Sequence, residues 1–287
     1  MTTGKPIASV ARHPESTYQR DSLTPMRDGE PLKPPLKWAG GKRWLVPVLR
    51  EYWEPHRDRR LVEPFVGGMG VALGLQPACA LLNDINEHLI NFYRHLQRGL
   101  VADIPFSNSA HDYYEARRRF NSLIGSGCAG SKEAAGLFYY LNRTGYNGLC
   151  RFNSKGEFNV PYGRYKTINY VRDFTDYAEL ISRWTFVCGD FAALEILDGD
   201  FVYADPPYDV EFTAYSKGGF GFDEQVRLAH WLADLDVPVI ASNQATARIL
   251  ELYAGLGFDV RILDAPRRIS CTGDRTPAKE MLATRRL

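Results

Sequence analysis

The sequence predicts an α/β protein whose doubly wound, mostly parallel sheet is interrupted by an inserted, mainly helical subdomain. Short apolar runs typical of buried strands recur near both ends of the chain, and segments with helical patterning lie between them. Strands that alternate with helices pair in parallel, so this order is typical of an open α/β sheet. The alternation stops between residues 107 and 186, which indicates an insertion.

The first part of the sheet is predicted by two strands that flank a glycine-rich loop. Residues 61–66 form the apolar run LVEPFV, and the loop Gly67-Gly68-Met69-Gly70 follows it before an apolar helix start. Residues 79–83 predict a second strand that ends at Asp84, and residues 85–98 carry a helical pattern. This succession of strand, loop, helix and strand is how a doubly wound sheet begins.

The rest of the sheet is predicted from the C-terminal part of the chain, where the alternation resumes. Buried strands are expected at residues 185–188, 201–204 and 237–241. Helical patterns lie beside them at 223–234 and 245–256. Residues 258–264 and 278–285 predict a final antiparallel pair, so we expect a mostly parallel sheet with an antiparallel C-terminal strand.

The predicted insertion divides the chain into parts. It contains helical segments at 111–123 and 131–141, followed by a polar, aromatic and glycine-rich run from Asn142 to Tyr170, for which we expect a hairpin. The residues before position 33 show little apolar periodicity, and we expect a flexible or loosely docked tail. The expected parts are a tail at 1–32, an α/β domain formed by 33–106 and 187–287, and the insertion at 107–186.

The composition excludes several classes of protein. The 287 residues are 45% hydrophobic and 24% charged, which excludes a collagen-like, disulfide-scaffold or wholly disordered chain. No run of about 18 apolar residues and no secretion signal is evident, so we expect no membrane span. Five scattered cysteines without a CxxC pair or zinc-finger spacing suggest reduced thiols in the cytoplasm, and we expect no metal site.

The basic charge of the chain is concentrated in the insertion. Residues 107–172 carry ten Lys and Arg but only four Asp and Glu, whereas the whole chain has a formal net charge of +1. Tyrosines and phenylalanines are interleaved with these charges. Basic groups bind phosphates and arginine can read base edges, so the region is a candidate nucleic-acid surface. An ordinary solvated face with core aromatics would explain the same composition.

The tetrapeptide Asp205-Pro206-Pro207-Tyr208 directly follows the predicted strand at 201–204. Groups at the carboxyl ends of strands in an open α/β sheet face the ligand crevice. Consecutive prolines stiffen the turn and carry no N–H, so their carbonyl groups are left to accept. The Asp205 carboxylate and the Pro206 carbonyl would accept from an exocyclic amine whose ring stacks on Tyr208. A strand that merely stops in a turn would explain Asp-Pro but not the whole tetrapeptide.

Two glycine-rich segments indicate a nucleoside-like cofactor. The loop at 67–70 is no strict GxGxxG, because position 73 is Leu, but Asp84 after the next strand could bind ribose hydroxyls. The loop has no evident basic phosphate site, which favours an adenosine cofactor without phosphates. The segment from Lys37 to Lys42 fails as a P-loop, because the first glycine is missing and Lys42 precedes Arg, so we interpret it as a lid.

Taken in order, these segments resemble the Dam-type family of site-specific DNA adenine N6-methyltransferases. The resemblance spans residues 33–285 and implies a Rossmann-like, class I methyltransferase that uses S-adenosyl-L-methionine on double-stranded DNA, with base flipping. It rests on these stretches: PLKWAGGKR (35–43), LVEPFVGGMGV (61–71), NDIN (83–86), YLNRTGYNGLCRFNSKGEFNVPYGRY (140–165), DPPY (205–208), FTAY (212–215), SN (242–243), RRIS (267–270) and EMLA (280–283).

The resemblance also implies roles for particular residues. Arg151, the arginine of the GLCR segment, would read a guanine of the DNA, since arginine can contact guanine O6 and N7 together. The implied catalytic residues are Asp205, Pro206, Pro207 and Tyr208. The implied cofactor residues are Trp38, Lys42, Phe65, Gly67, Asp84 and Asp205. The implied DNA-binding residues of the insertion are Arg143, Tyr146, Asn147, Arg151, Asn153, Lys155 and Arg164.

The expected substrate is a short adenine-containing palindrome, with GATC as the first candidate, and a homodimer on that site is an open alternative. The sequence departs from the family pattern at the loop residues Met69 and Gly70 and in the short link of residues 209–211, which would border the flipped base and the flanking DNA. A bacterial or phage-encoded protein of the cytoplasm is expected. Competing interpretations are a methyltransferase acting on RNA or protein glutamine, and a DNA-binding protein without turnover.

Overall fold

The computed structural model describes residues 31–100, 104, 106–208, 220–265 and 278–287. They form a seven-stranded sheet with helices on both faces. The strands are β1 Arg60–Glu63, β2 Ala80–Asp84, β3 Trp184–Cys188, β4 Asp200–Ala204, β5 Val239–Gln244, β6 Asp259–Ala265 and β7 Ala278–Arg285. The α-helices are α1 Val46–Trp53, α2 Gly70–Leu75, α3 Glu87–Gln97, α4 Ala110–Gly125, α5 Lys132–Thr144, α6 Thr175–Leu180, α7 Phe222–Asp234 and α8 Ala247–Gly255.

The strand order is β3-β2-β1-β4-β5-β7-β6. Strands β1 to β5 are parallel, whereas β7 lies antiparallel between β5 and β6. The order reverses at β1, where Leu61 pairs with Ala80 of β2 on one side and with Phe201 of β4 on the other. Ligands of open α/β sheets bind at the carboxyl ends of strands at such a switch point. The predicted fold class, including the antiparallel C-terminal strand, is confirmed.

Successive residues of the strands point to opposite faces of the sheet, and each face has its own core. Leu61 and Leu82 belong to a core that also contains buried residues of α1 to α6. Val62 and Val202 belong to a second core with α7 and α8. The helices α4 and α5 of the predicted insertion thus share a hydrophobic core with α3 and the sheet. The insertion is therefore attached to the sheet through packed side chains.

Local sequence explains where the helices of this region begin. The side chain of Asn86 accepts hydrogen bonds from the backbone N–H groups of His88 and Leu89 at the start of α3. Ser109 and Ser131 cap α4 and α5 in the same way. Each cap pairs with an N–H group that has no partner within the helix. This hydrogen bond stabilises the helix by about 0.5–2 kcal/mol. The cap of α3 also fixes the chain just after Asp84.

The structure differs from the sequence prediction in three local features. The strand predicted at 61–66 ends at Glu63, because Pro64 has no N–H for the ladder. Helices α1 and α6 were not predicted. The hairpin expected in the insertion consists of two isolated antiparallel bridges, Gly145 with Tyr162 and Phe152 with Phe158, rather than regular strands. Side-chain-bonded turns and Pro161 interrupt the ladder there.

Some expectations fall on residues that the structure does not describe. They are residues 1–30 of the expected tail, the FTAY segment and the RRIS segment. Within the described ranges, no helix has the length and apolar character needed to cross a membrane. The division into a catalytic domain and a target-recognition insertion stays a prediction.

Candidate active site

A cleft with a volume of about 930 Å³ lies where the sheet order reverses. Its volume is within the range of roughly 300–1,000 Å³ that is usual for ligand pockets. The residues that line the cleft come from the carboxyl ends of β1, β2, β3 and β4 and from the segment before α1. The cleft brings together all of the predicted catalytic and cofactor residues, which are Trp38, Lys42, Phe65, Gly67, Asp84, Asp205, Pro206, Pro207 and Tyr208.

Asp205 directly follows β4, and two side chains bind the same oxygen of its carboxylate. Lys42 Nζ lies 2.9 Å from Asp205 Oδ1, and the Ser242 hydroxyl donates to the same oxygen at 3.0 Å. Burial raises the pKa of the Asp205 carboxyl above its ordinary value, whereas the charge of Lys42 and these hydrogen bonds act to lower it. Among the residues that the structure describes, none donates to Oδ2. The carboxylate therefore keeps one oxygen available to a ligand.

The proline turn after Asp205 is fixed by two buried amides that the sequence did not reveal. Gln225 Nε2 of α7 donates to the Pro207 carbonyl at 2.8 Å, and Asn243 Nδ2 of β5 donates to Gln225 Oε1 at 2.9 Å. No described residue donates to the Pro206 carbonyl. The sequence had placed Asn243 in a family-like segment without a role. The structure shows that it orients the turn, with the Pro206 carbonyl left unpaired within the described ranges.

Tyr208 is held over the cleft by Glu280 of β7. Its hydroxyl donates to Glu280 Oε1 at 2.5 Å, and Lys42 Nζ lies 4.5 Å from the centre of its ring. The same Lys42 Nζ is 3.5 Å from Glu280 Oε1. Burial raises the pKa of the Glu280 carboxyl, and the charge of Lys42 opposes this. Lys42 therefore links the two carboxylates and the aromatic ring into one network.

The glycine loop after β1 is packed against Trp38. A Cβ atom on Gly67 would lie 2.8 Å from Trp38 Nε1, and Gly67 has a φ of +44°, so both space and backbone favour glycine. The Gly67 N–H donates to Asp84 Oδ2 at 3.1 Å, and the Asn86 N–H donates to Asp84 Oδ1 at 3.0 Å. Burial raises the pKa of the Asp84 carboxyl, and the backbone N–H groups oppose this. The loop and the carboxylate thus form one rigid wall.

Glu63 ends β1 at the floor of the cleft and was not predicted as a site residue. It is buried, and its Oε1 atom has no hydrogen-bond partner within the described residues. Burial, reinforced by the nearby Asp205, raises the pKa of the Glu63 carboxyl well above its ordinary value. An unpaired buried polar atom is costly unless a ligand or water pairs with it. Glu63 therefore indicates a polar ligand group at this end of the cleft.

Aromatic rings and an ion pair line the other side of the cleft. Phe65 contacts Phe191 and Phe220, with ring centres 5.5 and 5.4 Å apart. Arg227 of α7 stacks 4.0 Å over the Phe191 ring and is paired with Asp190 at 2.6 Å. The sequence analysis did not predict Asp190 and Phe191 as site residues. The signal that could have indicated them is their position just after β3. The rings of Phe65, Phe191 and Phe220 give this side of the cleft a flat apolar surface that suits a ring ligand.

Five of the predicted DNA-binding residues are exposed on one irregular segment of the insertion. They are Tyr146, Asn147, Arg151, Lys155 and Arg164. Arg151 Nε donates to Asn159 Oδ1 at 2.8 Å, which holds its guanidinium group at the surface. Tyr146 is 50% exposed, so its ring is accessible at the surface of this segment. These positions suit contact with a macromolecule.

The other two predicted DNA-binding residues are engaged within the protein. Arg143 donates to the carbonyl groups of Pro35 and Asn169. The Asn153 side chain accepts from the backbone N–H groups of Lys155 and Glu157 and donates to the Glu157 carboxylate. Arg143 thus ties the insertion to the segment before Trp38, and Asn153 shapes a turn. Their sequence positions did not distinguish these internal bonds from contacts with DNA.

The cleft at the switch point, with its Asp-Pro-Pro-Tyr turn after β4, defines the chain as a doubly wound, Rossmann-like α/β protein with a ligand cleft. Comparison with known proteins identifies the family. The family model of the D12 class N6 adenine-specific DNA methyltransferases matches residues 38–268. The chain belongs to this family, and DNA is its partner.

The relatives agree with this assignment. The DNA N-6-adenine-methyltransferase of Escherichia phage P1 is 38% identical over 83% of this chain, which spans only 33% of that protein. The retron Ec67 DNA adenine methylase of Escherichia coli is 37% identical, covering 86% of this chain and 90% of that protein. The DNA adenine methylase of Salmonella typhi is 36% identical, covering 86% and 93%. The prediction of an adenine-specific DNA methyltransferase is confirmed.

The chain has a distant likeness to a solved methyltransferase structure. The N-terminal domain of human METTL16 in complex with SAH is 13% identical, covers 88% of this chain and 72% of that one, and has a TM-score of 0.39. A likeness at that level has no bearing on the function of this chain.

Within the described ranges, no three His, Cys, Asp or Glu side chains cluster in a way that could hold a metal ion.

Proposed function

We propose that the protein transfers a methyl group from S-adenosyl-L-methionine to the N6 amine of adenine within a short palindromic sequence of double-stranded DNA. The target adenine leaves the duplex and enters the cleft beside Asp205 and Tyr208. The observation that carries this proposal is a pair of acceptors in the proline turn that have no donor among the described residues. Asp205 keeps Oδ2 and Pro206 keeps its carbonyl, while their neighbours Oδ1 and the Pro207 carbonyl are bonded within the described protein.

The chemistry of these acceptors matches an exocyclic amine. An amino group on an aromatic ring has two N–H donors, and its lone pair is delocalised into the ring. If Asp205 Oδ2 and the Pro206 carbonyl accept the two N–H bonds, the nitrogen is drawn toward tetrahedral geometry and its lone pair is directed away from the ring plane. Such positioning and preorganised electrostatics are the main sources of rate when no covalent intermediate forms.

The residues of the cleft fit S-adenosyl-L-methionine. Asp84, held by two backbone N–H groups, suits ribose hydroxyls, and the rings of Phe65 and Phe191 suit an adenine base. The unpaired carboxyl oxygen of Glu63 suits the amino group of the methionine portion. When bound, this cofactor supplies an electrophilic methyl group on a sulfonium sulfur. Trp38 and Gly67 then form the wall of its site.

The proton balance of the reaction requires a proton acceptor, and we infer that Asp205 has this role. N6 begins with two hydrogens and ends with one hydrogen and one methyl group, so one proton leaves the amine. Asp205 Oδ2 already accepts that N–H bond in the proposed complex, which makes it the acceptor of the departing proton. Burial raises the pKa of the Asp205 carboxyl, and the charge of Lys42 opposes this and favours the carboxylate form. The proton then passes to solvent.

Tyr208 stabilises the extruded base. Removing a base from the duplex costs a few kcal/mol, and stacking on an aromatic ring returns about 1–3 kcal/mol. The hydrogen bond from the Tyr208 hydroxyl to Glu280 holds the ring orientation, so little side-chain freedom remains to be lost when the base stacks. The exposed turn with Tyr146 and Arg151 would contact the duplex beside the extruded base. Arg151 would read a guanine, for which GATC is the first candidate sequence.

The competing interpretations are less well supported. The family assignment disfavours a substrate of RNA or protein glutamine, since the matching relatives are named as DNA adenine methylases. A DNA-binding protein without turnover would have no need for the Lys42–Asp205 pair or for the unpaired Pro206 carbonyl. Whether two copies bind one palindrome is decided by the stoichiometry of the complex on DNA.

The first experiment expresses the gene in a host without DNA methylation and reads a plasmid by single-molecule sequencing. N6-methyladenine confined to one short palindromic motif is the expected result. Unmodified DNA from cells that contain the soluble protein would refute the proposed reaction. A motif without a guanine would refute the role of Arg151 while leaving the chemistry intact.

The second experiment replaces Asp205 with asparagine, which keeps the shape of the side chain. We expect turnover to fall by at least about 100-fold, because one preorganised acceptor of the transition state is lost. DNA binding, measured by fluorescence anisotropy, should remain within a few-fold of the wild type. The control is Asp264→Asn, since Asp264 is an exposed carboxylate of β6 paired only with Lys279 in the described structure. Near-normal turnover of Asp205→Asn would contradict the mechanism.

A further inference from the structure

Asn142, near the C-terminus of α5, makes a paired contact with a distant backbone segment. Its Oδ1 atom accepts from the Lys37 N–H at 2.8 Å, and its Nδ2 donates to the Lys37 carbonyl at 2.8 Å. The same Nδ2 lies 3.3 Å from the Gly148 carbonyl, to which it also donates. The side chain is 2% exposed. One buried amide therefore joins α5, the segment before α1 and the turn at 146–148.

The Lys37 side chain reinforces this junction. Its Nζ atom donates to the Arg143 carbonyl at 2.9 Å and lies 3.6 Å from the centre of the Tyr165 ring. Gly148 has a φ of +62°, and a Cβ atom there would overlap the Lys37 side chain. The backbone of the turn thus lies directly on Lys37. A shift of either segment would have to disturb the other.

The two segments that Asn142 joins lead to different ligands. Lys37 precedes Trp38, which packs against Gly67 and Gly68 and lines the cleft. Gly148 ends the short 3₁₀ helix Tyr146–Gly148, whose exposed first residues belong to the proposed DNA surface. The path from the cofactor wall to the DNA turn therefore consists of directly bonded and packed groups, and Asn142 lies at its centre.

We propose that Asn142 is a positioning residue that holds the Trp38 wall of the cleft and the 146–148 turn in one register, so that cofactor and DNA each strengthen the binding of the other. The proposal rests on the proposed function for the identity of the two ligands. A side-chain amide carries a donor and an acceptor side by side, so it can pair with the N–H and the carbonyl group of one residue at once. Leucine at this position would fill the same space but leave the Lys37 N–H and two carbonyl groups unpaired.

The first test needs no ligand. Hydrogen–deuterium exchange is compared between the wild type, Asn142→Leu and Thr144→Val. Thr144 is also buried on the same helix, but among the described residues its hydroxyl bonds only to the Tyr140 carbonyl of α5. We expect faster exchange in Asn142→Leu at both 35–41 and 145–150, and in neither segment of Thr144→Val. Faster exchange in only one segment, or equal changes in the two variants, would overturn the proposal.

The second test measures the affinity for S-adenosylhomocysteine by calorimetry, with and without a saturating cognate duplex. We expect DNA to tighten this affinity by at least about fivefold in the wild type and in Thr144→Val, a size typical of coupled sites. In Asn142→Leu the ratio of the two affinities should fall to about one. A wild-type ratio of one, or an unchanged ratio in Asn142→Leu, would overturn the coupling. A wild type that binds no S-adenosylhomocysteine refutes the proposed function instead, and the exchange experiment still decides the role of Asn142.

Discussion

Lys42 favours the charged form of the Asp205 carboxyl, and replacing this lysine with methionine should change the pH dependence of methylation. Lys42 Nζ lies 2.9 Å from Asp205 Oδ1, and both side chains are largely removed from solvent, at 5% and 19% exposure. Burial alone raises the pKa of the Asp205 carboxyl, and Lys42 is the strongest opposing influence. The proposed reaction needs the carboxylate. Loss of Lys42 should therefore inactivate the enzyme at pH values where the wild type is still active.

The geometry sets the magnitude of this effect. Two unit charges at the observed separation attract by about 6 kcal/mol at an effective dielectric constant of about 20, which is an upper limit for the pair. Opposite charges at this range usually lower the pKa of a carboxyl by about 1–3. We therefore expect the acid limb of the kcat profile to move upward by about 1–3 pH units in Lys42→Met, which corresponds to about 1.4–4 kcal/mol.

The assay is a single-turnover methylation of a cognate duplex at saturating cofactor, followed from acid to mildly alkaline pH. Saturation is required because Lys42 lines the cofactor cleft, and its loss should also raise the KM for the cofactor. The control is Lys279→Met on β7, where the lysine is 62% exposed and pairs with Asp264 outside the cleft. Its profile should match the wild type. An acid limb in Lys42→Met that coincides with the wild-type limb would refute the assigned role of Lys42.

Three further predictions concern recognition, cofactor binding and stability. Arg151→Ala should relax discrimination at one base by about 1–3 kcal/mol, and an unchanged sequence preference in a panel of altered duplexes would contradict the assignment. Gly67→Ala should raise the Kd for S-adenosylhomocysteine at least about tenfold, roughly 1.4 kcal/mol, because the new methyl group would meet Trp38. Gly74→Ala should lower the free energy of unfolding by about 1–3 kcal/mol through overpacking. Gly125→Ala, which adds a methyl group in open space, is the control for both glycine variants and should leave affinity and stability almost unchanged.

Local sequence patterns predicted the parts of the site that lie at strand ends. Asp84 and Asp205 each follow a short apolar run, and both line the cleft at the switch point. A strand end is recognisable in sequence because apolar β residues give way to proline, glycine and acidic residues within a few positions. The chemistry of the proline turn was likewise readable, because it depends on consecutive residues.

Residues that support the site from distant strands and helices were not predictable in the same way. Glu280 contacts Tyr208 and Lys42 only because β7 pairs antiparallel with β5, in a register that sets Glu280 opposite Gln244. A slip of one residue would turn Glu280 away from the cleft, and no local pattern specifies that register. The resemblance to the family marked residues 280–283 in the sequence, but it did not predict that Glu280 contacts Tyr208.

The sequence by itself determined the class of fold, the family and the residues of the proline turn, because these depend on local patterning and on motifs of consecutive residues. The tertiary structure alone decided which oxygen of Asp205 has no donor within the described ranges, which amide fixes the turn, and that Arg143 bonds within the protein. The physical reason is that hydrogen bonds between residues far apart in the chain depend on strand register and helix packing. Asn142 shows this most directly, since its three partner groups come from two other segments.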